Sequence, residues 1–162
     1  MAKKVNLNIE IVAYNDISEL SESDRNLLSL AEDATHRSYA PYSNFNVGAA
    51  LLLENGEIIS ANNQENAAYP SGMCAERNAI YYAGATYPNE KILTIAIAAR
   101  KSEETSFIPI SPCGSCRQAM LEYEVKQDQP IRLIMKGHKE IFELHSISDL
   151  LPFKFTQKDL FE

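Results

Sequence analysis

The chain has 162 residues, 45% of them apolar and 23% charged, which is the balance of a folded protein rather than a disordered or fibrous one. A net charge of −7 and a pI near 5.0 argue against nucleic acid or membrane partners, since phosphate backbones and anionic lipid demand clustered Lys and Arg. The longest nearly all-apolar stretch, Ile92–Ala99, has 8 residues, far short of the ~20 that span a bilayer.

No linker, repeat or low-complexity tract divides the sequence, so a single domain over 1–162 is expected, with an N-terminal extension over 1–20 and a tail over 152–162. Polar alternation follows Met1-Ala2-Lys3-Lys4 where a signal peptide would need an apolar run, and the expected location is the cytoplasm. Val5-Asn6-Leu7-Asn8-Ile9-Glu10-Ile11 alternates with period two and predicts a half-buried strand. Ser21 and Ser23 mark a helix start, and Leu27, Leu28, Leu30, Ala31 and Ala34 carry helical spacing over about 22–38, up to Ala40-Pro41.

Val47–Leu53 and Glu57–Ser60 flank Asn55-Gly56, which predicts a hairpin with a two-residue turn. A polar loop covers Asn62–Met73, and a helix is expected from Cys74 to about Ala85. Ile92–Ala99 is a continuous branched run suited to the doubly covered centre of a sheet. Pro112-Cys113 opens another helix, because proline at a first turn gives up no needed N–H. Strands at Ile131–Met135 and Ile141–Leu144 and a short helix near Ser148–Leu151 complete the order. A mixed sheet between helical layers accounts for it.

All three cysteines lie in two short motifs, Cys74-Ala75-Glu76 and Pro112-Cys113-Gly114-Ser115-Cys116, each at a predicted helix start. Helix N-termini offer positive potential and free N–H groups, which favour thiolates. Cys-x-x-Cys turns two sulfurs toward one ion, and neighbouring helices can bring Cys74 to them across 39 residues. Three soft sulfurs suit Zn²⁺ and leave a fourth tetrahedral position for water, whose pKa falls to ~7. Glu76, two residues after Cys74, is placed to take and deliver a proton. Spacing alone leaves two other readings open, a redox pair and plain buried cysteines. A closed structural site would need His36, His138 or His145, but His138-x6-His145 lacks finger-type spacing and His36 falls mid-helix among polar neighbours.

Beyond the metal motif, Tyr42–Ala50, Asn63–Pro70, Cys74–Arg77 and Ser111–Gln118 together resemble the small homotetrameric cytidine deaminases of the cytidine and deoxycytidylate deaminase family, over about residues 25–156. The resemblance implies a three-layer α/β/α fold with a mixed five-stranded sheet, here carrying an extra N-terminal strand. It implies one Zn²⁺ per subunit on Cys74, Cys113 and Cys116, and hydrolytic deamination of cytidine and 2′-deoxycytidine by a zinc-activated hydroxide at C4. Glu76 would shuttle the proton. Phe45 would pack on the pyrimidine, Asn63 and Glu65 would bind the ribose hydroxyls, and Ala75 would offer its backbone to the base edge. Tyr69 also falls among the expected substrate contacts, and Phe155 would reach a neighbouring subunit's site in a homotetramer. Arg77 is expected to donate to the sulfurs, because three thiolates outweigh the two charges of the ion.

Two departures from the family pattern stand out: Asn46 replaces a common proline, and Thr156-Gln157 follows Phe155 in place of Gly-Pro. Competing functions are a deaminase of another small aminopyrimidine, a polynucleotide-editing deaminase and a non-enzymatic zinc module. The negative charge argues against the polynucleotide reading.

Overall fold

The computed structural model describes residues 2–161. Among them, strands β1 (Ile11–Tyr14), β2 (Phe45–Leu53), β3 (Ile58–Asn62), β4 (Ile92–Lys101), β5 (Arg132–Lys136) and β6 (Ile141–Leu144) form one sheet in the order β1-β6-β5-β4-β2-β3. Only the β4–β5 pair is parallel, and every other pair is antiparallel. The helices are α1 (Glu22–Ala34), α2 (Ala75–Thr86), α3 (Gly114–Gln127) and α4 (Lys158–Phe161). None is long and apolar enough to cross a membrane.

Period-two alternation divides the sheet residues between two cores. Val47, Ala49, Leu51 and Leu53 of β2 join Ile95, Ile97 and Ala99 of β4 against α2 and α3. Ala50, Ala96, Ala98 and Ile134 face the other way, against Leu27, Leu28 and Ala31 of α1. The sheet is thus covered on both faces, and β4 is buried on both, as its continuous apolar run implies. Alanines dominate the α1 side and let that helix lie close. At Gly48 the approach is closest, since a methyl group there would overlap the Ala31 carbonyl oxygen and crowd the Thr35 backbone. Gly48→Ala is expected to lower stability by about 1–3 kcal/mol, read from urea midpoints. An unchanged midpoint would mean that α1 lifts off the sheet without penalty.

The structure adjusts several expected boundaries. The predicted 22–38 helix is α1 followed by a 3₁₀ turn, Thr35–Arg37. The hairpin between β2 and β3 is not a two-residue turn. Within the loop Gly56 alone takes positive φ (88°), and it donates to the Leu53 carbonyl while the Leu53 N–H donates to the Glu57 carbonyl. That pattern is a longer loop with glycine in the left-handed position. The extra strand is shifted too: Val5–Glu10 lies outside any element, and β1 begins at Ile11. Its partner β6 has only four residues, Ile141–Leu144, so only four can pair with it. The last short helix is a 3₁₀ turn, Ile147–Leu150, and α4 lies in the expected tail.

One buried carboxylate ties α3 to this end of the sheet. Glu124 accepts from the N–H of Ile131 (2.9 Å), Ile147 (2.8 Å) and Ser148 (3.0 Å), and from the Ser146 hydroxyl at 2.8 Å. Burial pushes its pKa up, but these bonds outweigh burial and hold it below the ordinary glutamate value. A carboxyl held low when folded stabilises above its unfolded pKa of about 4.3 and loses that contribution as pH falls through the folded value. Glu124→Gln should therefore cost at least about 1.5–3 kcal/mol at neutral pH. The gap between wild type and variant should narrow in acid. Parallel urea midpoints across that range would show the tie to be unimportant.

Candidate active site

Helices α2 and α3 lie side by side on one sheet face, and Cys74 and Cys113 occupy their N-cap positions. Neither cysteine makes a side-chain capping bond, whereas Ser21 caps α1 by accepting from the Asp24 N–H. Cys116 sits one turn into α3, fully buried in the core, while Cys113 is exposed and Cys74 intermediate. The sulfurs lie within 4.8 Å of one another, and Cys74 and Cys113 are 3.9 Å apart. Ligand sulfurs ~2.3 Å from a tetrahedral zinc are ~3.8 Å apart, so the spacing fits the ion.

Protonation of the cluster points the same way. Hydrogen bonding from Cys116 pulls the Cys74 thiol down to about 5, with Arg77 and Cys113 also donating to it. The Cys116 thiol is pushed up, because it supplies the hydrogen bond to Cys74 and is buried beside Glu76. One sulfur gives up its proton readily and its neighbour keeps one. A divalent cation in that proton's place lets all three serve as thiolates.

Glu76 follows in the first turn of α2 and is 4% exposed, one of the few buried charged side chains of the described residues. Burial raises its pKa, with the Cys74 charge adding to the effect, so the carboxyl takes up a proton more easily than an exposed glutamate. Arg77 turns inward: its Nη2 donates to the Cys74 sulfur at 3.8 Å, and its charged form is favoured by Cys74 and Cys116. Ala75 is fully buried between Cys74 and Glu76.

Phe45 opens β2 and packs partly buried against the same core. Asn63 braces that strand, accepting from the Val47 N–H (2.8 Å) and donating to the Phe45 carbonyl (2.9 Å). Glu65 accepts from the backbone N–H of Tyr42 at 2.9 Å and Ser43 at 3.3 Å, and hydrogen bonding from Ser43 holds its pKa low. Paired backbone bonds between Gln64 and Met73 fold this loop back toward Cys74. Two expected contacts stand apart: Tyr69 is 92% exposed on a 3₁₀ turn, and Phe155 is 56% exposed. The Phe155 carbonyl nevertheless accepts from Gln118 of α3 at 2.8 Å, which brings the tail alongside that helix.

Supporting residues were less legible. Arg117 donates to the Pro112 carbonyl (2.8 Å), the Ser111 hydroxyl (2.7 Å) and the Leu150 carbonyl (3.3 Å), holding the turn that presents Cys113. Asn78 ties α2 to the Asn62 carbonyl at 2.8 Å. Its place directly after Cys116 is the one sequence signal that could have marked Arg117, and nothing local marks Asn78. His36 is engaged elsewhere, its Nδ1 2.9 Å from the Arg100 guanidinium, and His138 and His145 are exposed. Among the described residues the three sulfurs form the cluster without a histidine.

Comparison with known proteins agrees with this geometry. The family model described as "Cytidine and deoxycytidylate deaminase zinc-binding region" matches residues 21–128. The cytidine deaminase of Halalkalibacterium halodurans is 36% identical over 134 residues, covering 83% of this chain and 95% of the relative. That of Sporosarcina psychrophila is 36% identical over 135 residues, 83% and 92% of the two chains. A crystal structure of the Burkholderia pseudomallei cytidine deaminase superposes with a TM-score of 0.67 at 34% identity, covering 84% of this chain and all of that one. By sequence, by fold and by the sulfur cluster at its two helix starts, the chain belongs to the cytidine and deoxycytidylate deaminase family.

Proposed function

We propose that this chain hydrolyses cytidine and 2′-deoxycytidine to the corresponding uridine nucleosides with release of ammonia. The observation that carries the reading is a buried carboxyl, Glu76, in the same helical turn that follows one of three converging sulfurs. Cys74, Cys113 and Cys116 hold one zinc ion per subunit. When bound, zinc acts as a Lewis acid that makes water nucleophilic at neutral pH.

The remaining work falls to side chains. Glu76 takes a proton from the attacking water, places it on ring N3 and carries a further proton to the amino group at C4. Water oxygen becomes the C4 carbonyl oxygen, the C4–N bond breaks and ammonia leaves. The carboxyl ends as it began. Its raised pKa suits a group that must both accept and donate. Arg77 offsets the excess negative charge of three thiolates.

Phe45 lies against the pyrimidine, and the Ala75 backbone meets the base edge. Asn63 and Glu65 receive the ribose hydroxyls. Their bonds to the backbone of Tyr42–Val47 support this role by fixing both side chains before substrate arrives. In a cytoplasmic homotetramer, Tyr69 and a neighbour's Phe155 complete the pocket wall. The exposure of Tyr69, Phe153 and Phe155 is in keeping with faces that other subunits cover.

Chromatography of cytidine incubated with zinc-loaded protein tests the reading. Uridine and ammonia should appear in equal amounts, and a zinc chelator should stop them. Product from an oligonucleotide but not from free cytidine, or no product at all, would overturn it.

A further inference from the structure

The match to the family model begins at residue 21, so the chain before α1 lies outside it. Within that chain Val5, Leu7 and Ile9 are 75%, 59% and 46% exposed, although their spacing is that of a strand face. The parent sheet has no place for them. Ile11 already pairs with Leu144, where β6 ends, and the next residues turn into the 3₁₀ helix at Ile147. β1 is an outermost strand, and among the described residues nothing pairs with its far edge.

The order of residues shows what fits. Lys4-Val5-Asn6-Leu7-Asn8-Ile9-Glu10 is a near-palindrome in chemical character and is complementary in charge. Turned antiparallel about Leu7, it sets Val5 opposite Ile9, Asn6 opposite Asn8 and Leu7 opposite itself. Each Lys4 then faces a Glu10. Slipping by one residue opposes apolar to polar throughout, and slipping by two loses the charge match. We propose that residues 4–10 form an antiparallel two-stranded ribbon with the same residues of a second copy of this chain, centred on Leu7. A ribbon of two strands is marginal alone in water, so the link reinforces contact between copies rather than holding dilute chains together.

Cysteine cross-linking in the zinc-loaded, full-length protein tests this directly. Opposed Cβ atoms in such a ribbon lie ~4.5–5.5 Å apart, close enough for a disulfide after small adjustment. Under mild oxidation Leu7→Cys should give a covalent dimer at least about tenfold faster than Asn6→Cys, whose opposite residue is Asn8. In the Leu7→Cys background, Lys4→Glu should slow cross-linking by roughly 2- to 30-fold, since the two-fold axis repeats the repulsive pair. Adding Glu10→Lys should restore the rate. Deamination of cytidine should stay at the wild-type rate in every variant and report an intact fold. Equal rates at positions 6 and 7, no covalent dimer from Leu7→Cys, or failure of the double charge swap to rescue would each overturn the pairing.

Discussion

Glu76→Gln is expected to fold, to bind one zinc ion and to lose at least about 10²–10⁴-fold in turnover of cytidine. The amide matches the carboxyl in size but can neither take a proton from water nor return it to the leaving nitrogen. Stability should survive, because the site is buried and already disfavours the charged carboxylate, so a neutral isostere suits it. Three measurements separate the roles: zinc by atomic absorption, folding by urea midpoint, and kcat with cytidine. Near-normal kcat in a zinc-loaded variant would remove Glu76 from the chemistry. Loss of zinc together with activity would recast it as a structural support.

Cys116→Ala should lower zinc content from one ion per chain toward none after gel filtration, and activity should fall to background. The side chain is fully buried in the apolar cluster between the sheet, α2 and α3, so alanine keeps part of the apolar packing while removing the ligand. Two remaining sulfurs, one of them exposed, do not close a tetrahedral site. A variant that keeps stoichiometric zinc and turns over cytidine would show that the ion is held elsewhere. That result would undo the functional reading along with the metal assignment.

Elements whose pattern is set by their own face of the core were readable in advance. β4 announced itself as central because its run of branched and small residues is covered on both faces. The cysteine motifs were equally readable, since helix-start chemistry is local. What depended on partners was not. The alternation from Val5 to Ile11 has strand character, yet a ladder needs an opposite strand, and β6 provides four residues only. Nothing in its own helix marks Glu124, because its hydrogen-bond donors come from Ile131 and Ser146–Ser148, beyond the helix. Resemblance points Asn63 at the sugar, whereas its bracing of β2 depends on how the loop folds against that strand, which no local pattern encodes.

The missing caps on α2 and α3 reach past catalysis. A serine or aspartate at each start would have added about 1 kcal/mol to its helix, and cysteine forgoes that. Without the metal, the cysteine at each of these helix starts caps no backbone N–H and has no ion to hold it. Zinc-loaded protein is therefore expected to resist added protease longer than zinc-free protein, read as the half-life of the intact chain on a gel.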